Sequence, residues 1–196
     1  MKQALFQNAY RALGDLIAAT PAMAKFAPWS DDAIYVERET LILPATQLIL
    51  SDPVTQYPPA LAFHTAIRAA APHAHWRQSY TEGEVGADFL ARYGWFELIG
   101  PTGHMHTNSA RAYIAYWGPD LVYPWHLHEA EELYFLVAGS AEFAADGLKT
   151  QTLAAGETRI HISNQPHAMN TYDQPILALV LWRGAGLAGV PRLGRT

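Results

Sequence analysis

Within nine residues the chain places His126, His128, Glu132 and Tyr134. In an extended strand, residues two apart point to the same face. His126 and His128 therefore project together, and Glu132 and Tyr134 do the same on the returning segment. Leu133 and Phe135 take the opposite face and pack. His167 follows the turn Asn164-Gln165-Pro166 further on. Three imidazoles and one carboxylate suit a divalent first-row metal: Zn, Fe(II), Mn, Co or Ni. Neutral histidines and one Glu leave such an ion with about one positive charge, which favours an anionic substrate group as a further ligand.

Histidine pairs spaced by one residue occur at His73/His75, His104/His106 and His126/His128. Only the last is followed by a Glu and then a Gly at short spacing, with a turn and a histidine downstream. The other two pairs are expected to be solvated or hydrogen-bonded. His161, on the stretch before His167, either lines the pocket or is a structural histidine. The chain has no cysteine. Disulfides and thiolate sites are excluded, so a metal must be held by nitrogen and oxygen.

Stepping outward from these residues, the elements that must position them differ between the two halves. Leu5, Ala9, Ala12, Leu13, Leu16 and Ile17 recur at helical spacing, and Pro21 and Pro28 interrupt the pattern. Leu61 to Ala71 is a second helix, stopped by Pro72. A third runs from Glu84 to Tyr93 and ends at Gly94. Pro53, Pro58 and Pro59 mark a loop. From about Trp95 the period becomes two. Strands are expected at Arg111 to Trp117, Leu133 to Ala138, Ala141 to Ala145, Thr158 to Ile162 and Ile176 to Trp182, with a tight hairpin at Asp146-Gly147. The expected division is a helical extension over 1–95 and a β-barrel over 96–196.

Composition narrows the function classes. The 196 residues are 50% hydrophobic and 16% charged, which supports a folded core. The net charge is -5, which offers no footprint for nucleic acid. The longest apolar run, Ile176 to Trp182, is far short of the ~20 residues of a membrane span. The alanine-rich start is interrupted by Arg11 and Asp15, so it reads as an amphipathic helix rather than an export signal. A cytoplasmic protein with a small-molecule substrate is the expectation.

His126-x-His128-x3-Glu132-x6-Gly139 resembles the first cupin motif, and Gly156 to His167 resembles the second. The segments YPWHLHEAEELYFLVAG, NQPHAMNT, LALVLWRG and YGWFELIGPTG are similar to those of the cupin-type dimethylsulfoniopropionate (DMSP) lyases. The resemblance implies a mainly β cupin double-stranded β-helix barrel with a helical N-terminal extension. It implies one divalent ion held by His126, His128, Glu132 and His167, and allows a homodimer. The sequence departs from the pattern at Asn170, where such lyases tend to carry Arg, which bears on carboxylate recognition.

The implied reaction is a β-elimination that releases dimethyl sulfide and acrylate. A metal-bound carboxylate makes the α-proton more acidic, and a base must lie beside that proton. Tyr134 is the expected base and Tyr123 the second choice or an orienting group. A sulfonium is a soft cation that aromatic faces bind. Trp117, Trp125 and Trp182, with His161, are the expected substrate-binding residues. Two other readings fit the same residues: another metal cupin enzyme, a dioxygenase or isomerase acting on a small carboxylic acid, or a non-catalytic cupin that senses a ligand.

Overall fold

The computed structural model describes residues 1–27, 32–51 and 56–195. Pro28 and Pro53 lie outside the described residues. Helix α1 (Lys2–Ala19) buries Phe6, Ala9, Leu13, Leu16 and Ile17 on one stripe. Helix α2 (Pro21–Phe26) begins with Pro21, whose fixed φ suits a first helical turn, so the helical region restarts there. Helices α3 (Pro44–Ser51) and α4 (Leu61–Ala70) follow, and α4 packs on α1.

The expected helix from Glu84 to Tyr93 is corrected by the structure. It divides into α5 (Glu82–Val85) and α6 (Ala87–Ala91). Gly86 between them takes φ of 83°, a region open mainly to glycine. A capping box between Thr81 and Glu84 starts α5 two residues earlier than the apolar spacing suggested. Tyr93 opens a strand in which every residue is buried.

The strands are β1 (Ile34–Tyr35), β2 (Tyr93–Gly100), β3 (Met105–His106), β4 (Arg111–Trp117), β5 (Val122–Leu127), β6 (Glu131–Ala145), β7 (Gln151–Ala154), β8 (Thr158–His161), β9 (His167–Asn170), β10 (Ile176–Arg183) and β11 (Arg192–Leu193). The expected mainly β architecture with a helical N-terminal part is what the chain forms. The two strands expected on either side of Gly139 are one continuous strand, β6. Its first part pairs with β10 and β8, and its second with β7 and β9. At the changeover Gly139 has φ of 82°. A Cβ there would lie 1.9 Å from the Pro175 carbonyl oxygen, so no other residue fits.

The pairing order is β1-β3-β2-β4-β10-β6-β9-β5-β11, with β7 and β8 also on β6. The ladder is mixed, because β2 and β3 run parallel, and it does not close. One face meets the helices through Phe96, Leu98, Ile114, Leu133, Phe135, Leu179 and Leu181. The inward face gathers Tyr93, Trp95, Trp117, Tyr123, Tyr134, Phe143 and Trp182.

Candidate metal centre

Register brings the chemistry together. On one side of the barrel His126 of β5 lies opposite His167 of β9. On the other, Glu132 of β6 lies opposite both Trp182 of β10 and His161 of β8. His128 follows β5 directly. All five donors are buried. The donor atoms of His126, His128 and His167 lie within 4.8 Å of one another, as do those of Glu132, His161 and His167.

Backbone carbonyls fix the histidine tautomers. His126 Nδ1 donates to Pro124 O at 2.9 Å, His128 Nδ1 to Ala130 O at 2.9 Å and His167 Nδ1 to Gln165 O at 2.8 Å. A carbonyl can only accept, so each Nδ1 carries the proton and each Nε2 keeps its lone pair. This is the orientation a metal-binding imidazole needs. Glu132 is oriented as strictly. Its Oε1 accepts from Trp182 Nε1 at 2.9 Å and from Tyr113 Oη at 3.1 Å. Its Oε2 is left facing His128 Nε2 at 3.3 Å and His167 Nε2 at 3.0 Å.

Those three atoms are buried and make no hydrogen bond among the described residues. Acceptor faces acceptor, which is repulsive in a dry site unless a cation lies between them. The electrostatics of the site make the same demand. Burial pushes the His128 imidazole down, but the Glu132 carboxylate outweighs it and raises the net value. Burial pushes Glu132 up, but His128 and His167 hold it well below the usual carboxylate range. Burial, reinforced by His167, holds His126 well below its ordinary value. A site that draws a positive charge and offers three nitrogens and an oxygen fits a divalent transition ion.

His161 is fully buried, and its ring stacks on that of His167 at 4.0 Å. Both its ring nitrogens lack a partner, and burial followed by His167 pushes its pKa down to about 3. Tyr134 is buried with its ring 5.9 Å from that of His161 and 6.2 Å from that of Trp117. Burial and then Glu132 raise its phenol well above 10. Tyr123 lies tilted against His126 with ring centroids 4.3 Å apart, and its hydroxyl shares a hydrogen bond with that of Tyr80 at 3.0 Å. Burial and then Tyr80 raise it well above 10.

An aromatic cavity adjoins the donors, walled by Tyr93, Trp95, Tyr113, Trp117, Tyr123 and Trp182. Arg111 joins this wall, and Val190 and Pro191 of the C-terminal segment cover it. About 10 Å³ remains inside, the room of one water molecule. Trp117 and Trp182, two of the expected substrate-binding residues, are among those that line the cavity. Trp125 is not brought to this cavity. It neighbours His126 in a strand, so its ring points the other way, and Arg195 covers it at 3.6 Å. Asn170 is also away from the cavity and donates to Glu142 Oε1 at 3.3 Å. Sequence reasoning missed Tyr113 and Arg111. The signal was present, because Arg111, Tyr113 and Trp117 share one face of a strand of period two.

The other histidine pairs do different work. His104 Nε2 accepts from the backbone N–H of His75 at 3.1 Å, and its ring stacks on Phe6 at 3.7 Å. His106 Nδ1 meets Pro101 O at 3.1 Å.

Comparison with known proteins gives one family. The model of the dimethylsulfoniopropionate lyase family matches residues 48–178. The dimethylsulfoniopropionate lyase DddQ of Ruegeria pomeroyi is 39% identical over 179 residues, which cover 91% of this chain and 89% of that protein. The crystal structure of DddQ from Ruegeria pomeroyi DSS-3 superposes with a TM-score of 0.92 at 38% identity, covering 97% of this chain and 96% of the other. A chain from the crystal structures of the DMSP lyases RdDddP and RnDddQII superposes with a TM-score of 0.96 at 45% identity, covering 99% and 100%.

Proposed function

This chain belongs to the dimethylsulfoniopropionate lyase family and is a carbon–sulfur lyase of that substrate; from that premise we propose how its barrel performs the reaction. His126, His128, Glu132 and His167 hold one divalent ion, which supplies a Lewis acid for the substrate carboxylate. The observation that carries this reading is the set of buried lone pairs of Glu132, His128 and His167 turned on one another without a proton donor. The N/O donor set fits Zn, Fe, Mn, Co or Ni.

Tyr134 takes the α-proton at its phenol oxygen. Burial and Glu132 keep that oxygen protonated in the protein alone, so it becomes a base only when positive charge is added nearby. Tyr123, held by Tyr80, orients the substrate. The aromatic cavity, which has room for about one water molecule in the protein alone, opens as substrate binds. Its wall, with Trp117 and Trp182, then takes the sulfonium and keeps water out as dimethyl sulfide leaves. His161 lines the site. Loss of the α-proton and of the β-carbon–sulfur bond gives acrylate and dimethyl sulfide. The helices of the N-terminal extension, expected over 1–95, serve as the cover of this barrel, while Tyr93 to Trp95 already belong to β2. Two lesser proposals go with the reading, a homodimer and residence in the cytoplasm, tested by light scattering and by cell fractionation. Among the described residues no helix is long and apolar enough to cross a membrane.

The test is headspace detection of dimethyl sulfide, with acrylate followed by NMR, from metal-loaded protein given DMSP in the presence and absence of oxygen. Equal amounts of both products, indifferent to oxygen and abolished by a chelator, are expected. Turnover that needs oxygen would point to a dioxygenase instead. Full activity in the chelated protein would remove the ion from the reading.

A further inference from the structure

Outside the donor cluster, the most heavily buried charges among the described residues belong to Arg111 on β4 and Glu97 on β2. Arg111 Nε lies 3.0 Å from Glu97 Oε2, with the two side chains 5% and 2% exposed. A buried ion pair is a weak source of stability, since desolvation offsets its attraction. This one is nonetheless elaborately built. Glu97 also accepts from Thr102 N and Thr102 Oγ1, both at 2.8 Å. Gly100 takes φ of 144° beside it, and a Cβ there would lie 2.4 Å from Glu97 Oε1 and 3.1 Å from Arg111 Cγ. The backbone is shaped to keep the pair in place.

The rest of the guanidinium faces the catalytic side. Its central carbon lies 4.6 Å from the Trp182 ring centroid and 5.4 Å from that of Tyr113. Those two rings carry the two donors that hold Glu132 Oε1. A cation over a ring face draws electron density from it and strengthens the ring's own N–H or O–H as a donor. Arg111 Nη1 also donates to Gly189 O at 2.9 Å, beside the residues that cover the cavity.

We propose that Arg111 is a positioning residue for the lyase reaction: anchored by Glu97, it clamps the Trp182 and Tyr113 rings so that their donors hold Glu132 with Oε2 turned to the histidines. A lysine cannot replace it, because one ammonium cannot reach Glu97 and Gly189 through separate nitrogens while its charge lies over the indole. The metal-affinity arm of the test rests on the reading of Glu132 as a metal donor, while the indole arm does not.

The test uses Arg111→Lys, Glu97→Gln, Trp182→Phe and the Arg111→Lys/Trp182→Phe double variant. In metal-free protein the Trp182 indole N–H resonance is assigned by its absence in Trp182→Phe. Its hydrogen exchange in Arg111→Lys and in Glu97→Gln is expected to quicken at least ~10-fold, as a loosened donor bond requires. Metal affinity, measured by competition with a chromogenic chelator, is expected to weaken ~10–100-fold in both Arg111→Lys and Trp182→Phe, the usual scale for a partner of a ligand. The double variant is expected to be no weaker than the worse single, because both changes act on one contact. A lowered melting temperature with wild-type indole exchange and wild-type metal affinity would make Arg111 merely structural and overturn the proposal. Additive losses would also overturn it, since Arg111 would then act by a route other than Trp182. If the wild type binds no metal, the donor reading fails, and the indole exchange alone decides whether the clamp exists.

Discussion

The two faces of one sheet obey different rules. Toward the helices, β6 and β10 present Leu133, Phe135, Val137, Leu177, Leu179 and Leu181. These are interchangeable in kind, and their role is to fill volume against α1 and α4. Toward the barrel interior the same strands present Glu132, Tyr134, Val180 and Trp182. There the polar atoms of Glu132 and Trp182 have assigned neighbours or, at Glu132 Oε2, a conspicuous lack of a donor. A single residue step along the strand passes from a site where size matters to a site where the identity of each atom matters. The lesson is that burial alone does not tell a packing residue from a chemical one. The partner of the polar atom does.

The sharpest break of this contrast is at the donors. His128→Ala is expected to lower metal affinity by well over the ~10²-fold that an outer partner costs, and turnover should fall to background with it. Elemental analysis of the purified variant checks this, and full occupancy would remove His128 from the set. His104→Ala, in the other spaced pair, should retain the ion.

Next in size is the phenol of the inward face. Tyr134→Phe removes one oxygen and little volume, so the fold and the ion should remain while turnover falls ~10²–10⁴-fold. The wild-type rate should rise with pH on the alkaline side of neutral, because burial and Glu132 hold the phenol protonated. Tyr123→Phe is the companion. If it abolishes turnover while Tyr134→Phe does not, the two roles exchange.

On the helix-facing side the expected effect is on stability alone. Leu179 is fully buried, and Leu179→Ala should cost about 2–5 kcal/mol. Leu179→Met should cost less than ~1.5 kcal/mol. Urea titration reads both. If Leu179→Met changes metal affinity as strongly as Trp182→Phe does, the two faces are not independent.

The last expected effect, confined to acid pH, belongs to a histidine stacked into the helix-facing side. Burial, aided by Lys2, pushes His104 down to about 3. An unfolded chain takes up that proton near 6.5, so between these values the unfolded state binds more protons. The contribution to stability is therefore fully present above pH 6.5 and is lost as pH falls toward 3. His104→Gln should flatten this acid limb in a series of urea midpoints. An unchanged limb would assign the acid sensitivity to the inward face instead.

The histidine and glutamate donors were legible because their spacing matches strand geometry, and geometry of that kind survives in a linear sequence. β4 was legible to the residue for a similar reason, being bounded by Ala110 and Gly118 and rich in aromatic and β-branched side chains. β2 and β10 are buried along both faces, so their alternation is hidden in apolar runs, whereas in β6 the polar Glu132 and Tyr134 set against Leu133 and Phe135 kept the two faces legible. The helix assigned across Gly86 failed because spacing alone carries no record of a positive φ. Arg111 went unnoticed because a charge on a strand reads as solvent-facing until Glu97, fourteen positions earlier, is found beside it.

Strand β6 has one more consequence, and it concerns synthesis. Its four partners, β7, β8, β9 and β10, all lie after it in the chain. As the polypeptide leaves the ribosome, Leu133 to Ala138 emerges as an uncharged apolar run with both edges open. It gains its last neighbour only when residue 183 is free. Windows of that composition are the ones that pair with other chains. One hazard of aggregation in this protein therefore belongs to a moment in its making, and slowing translation between residues 145 and 183 should increase it.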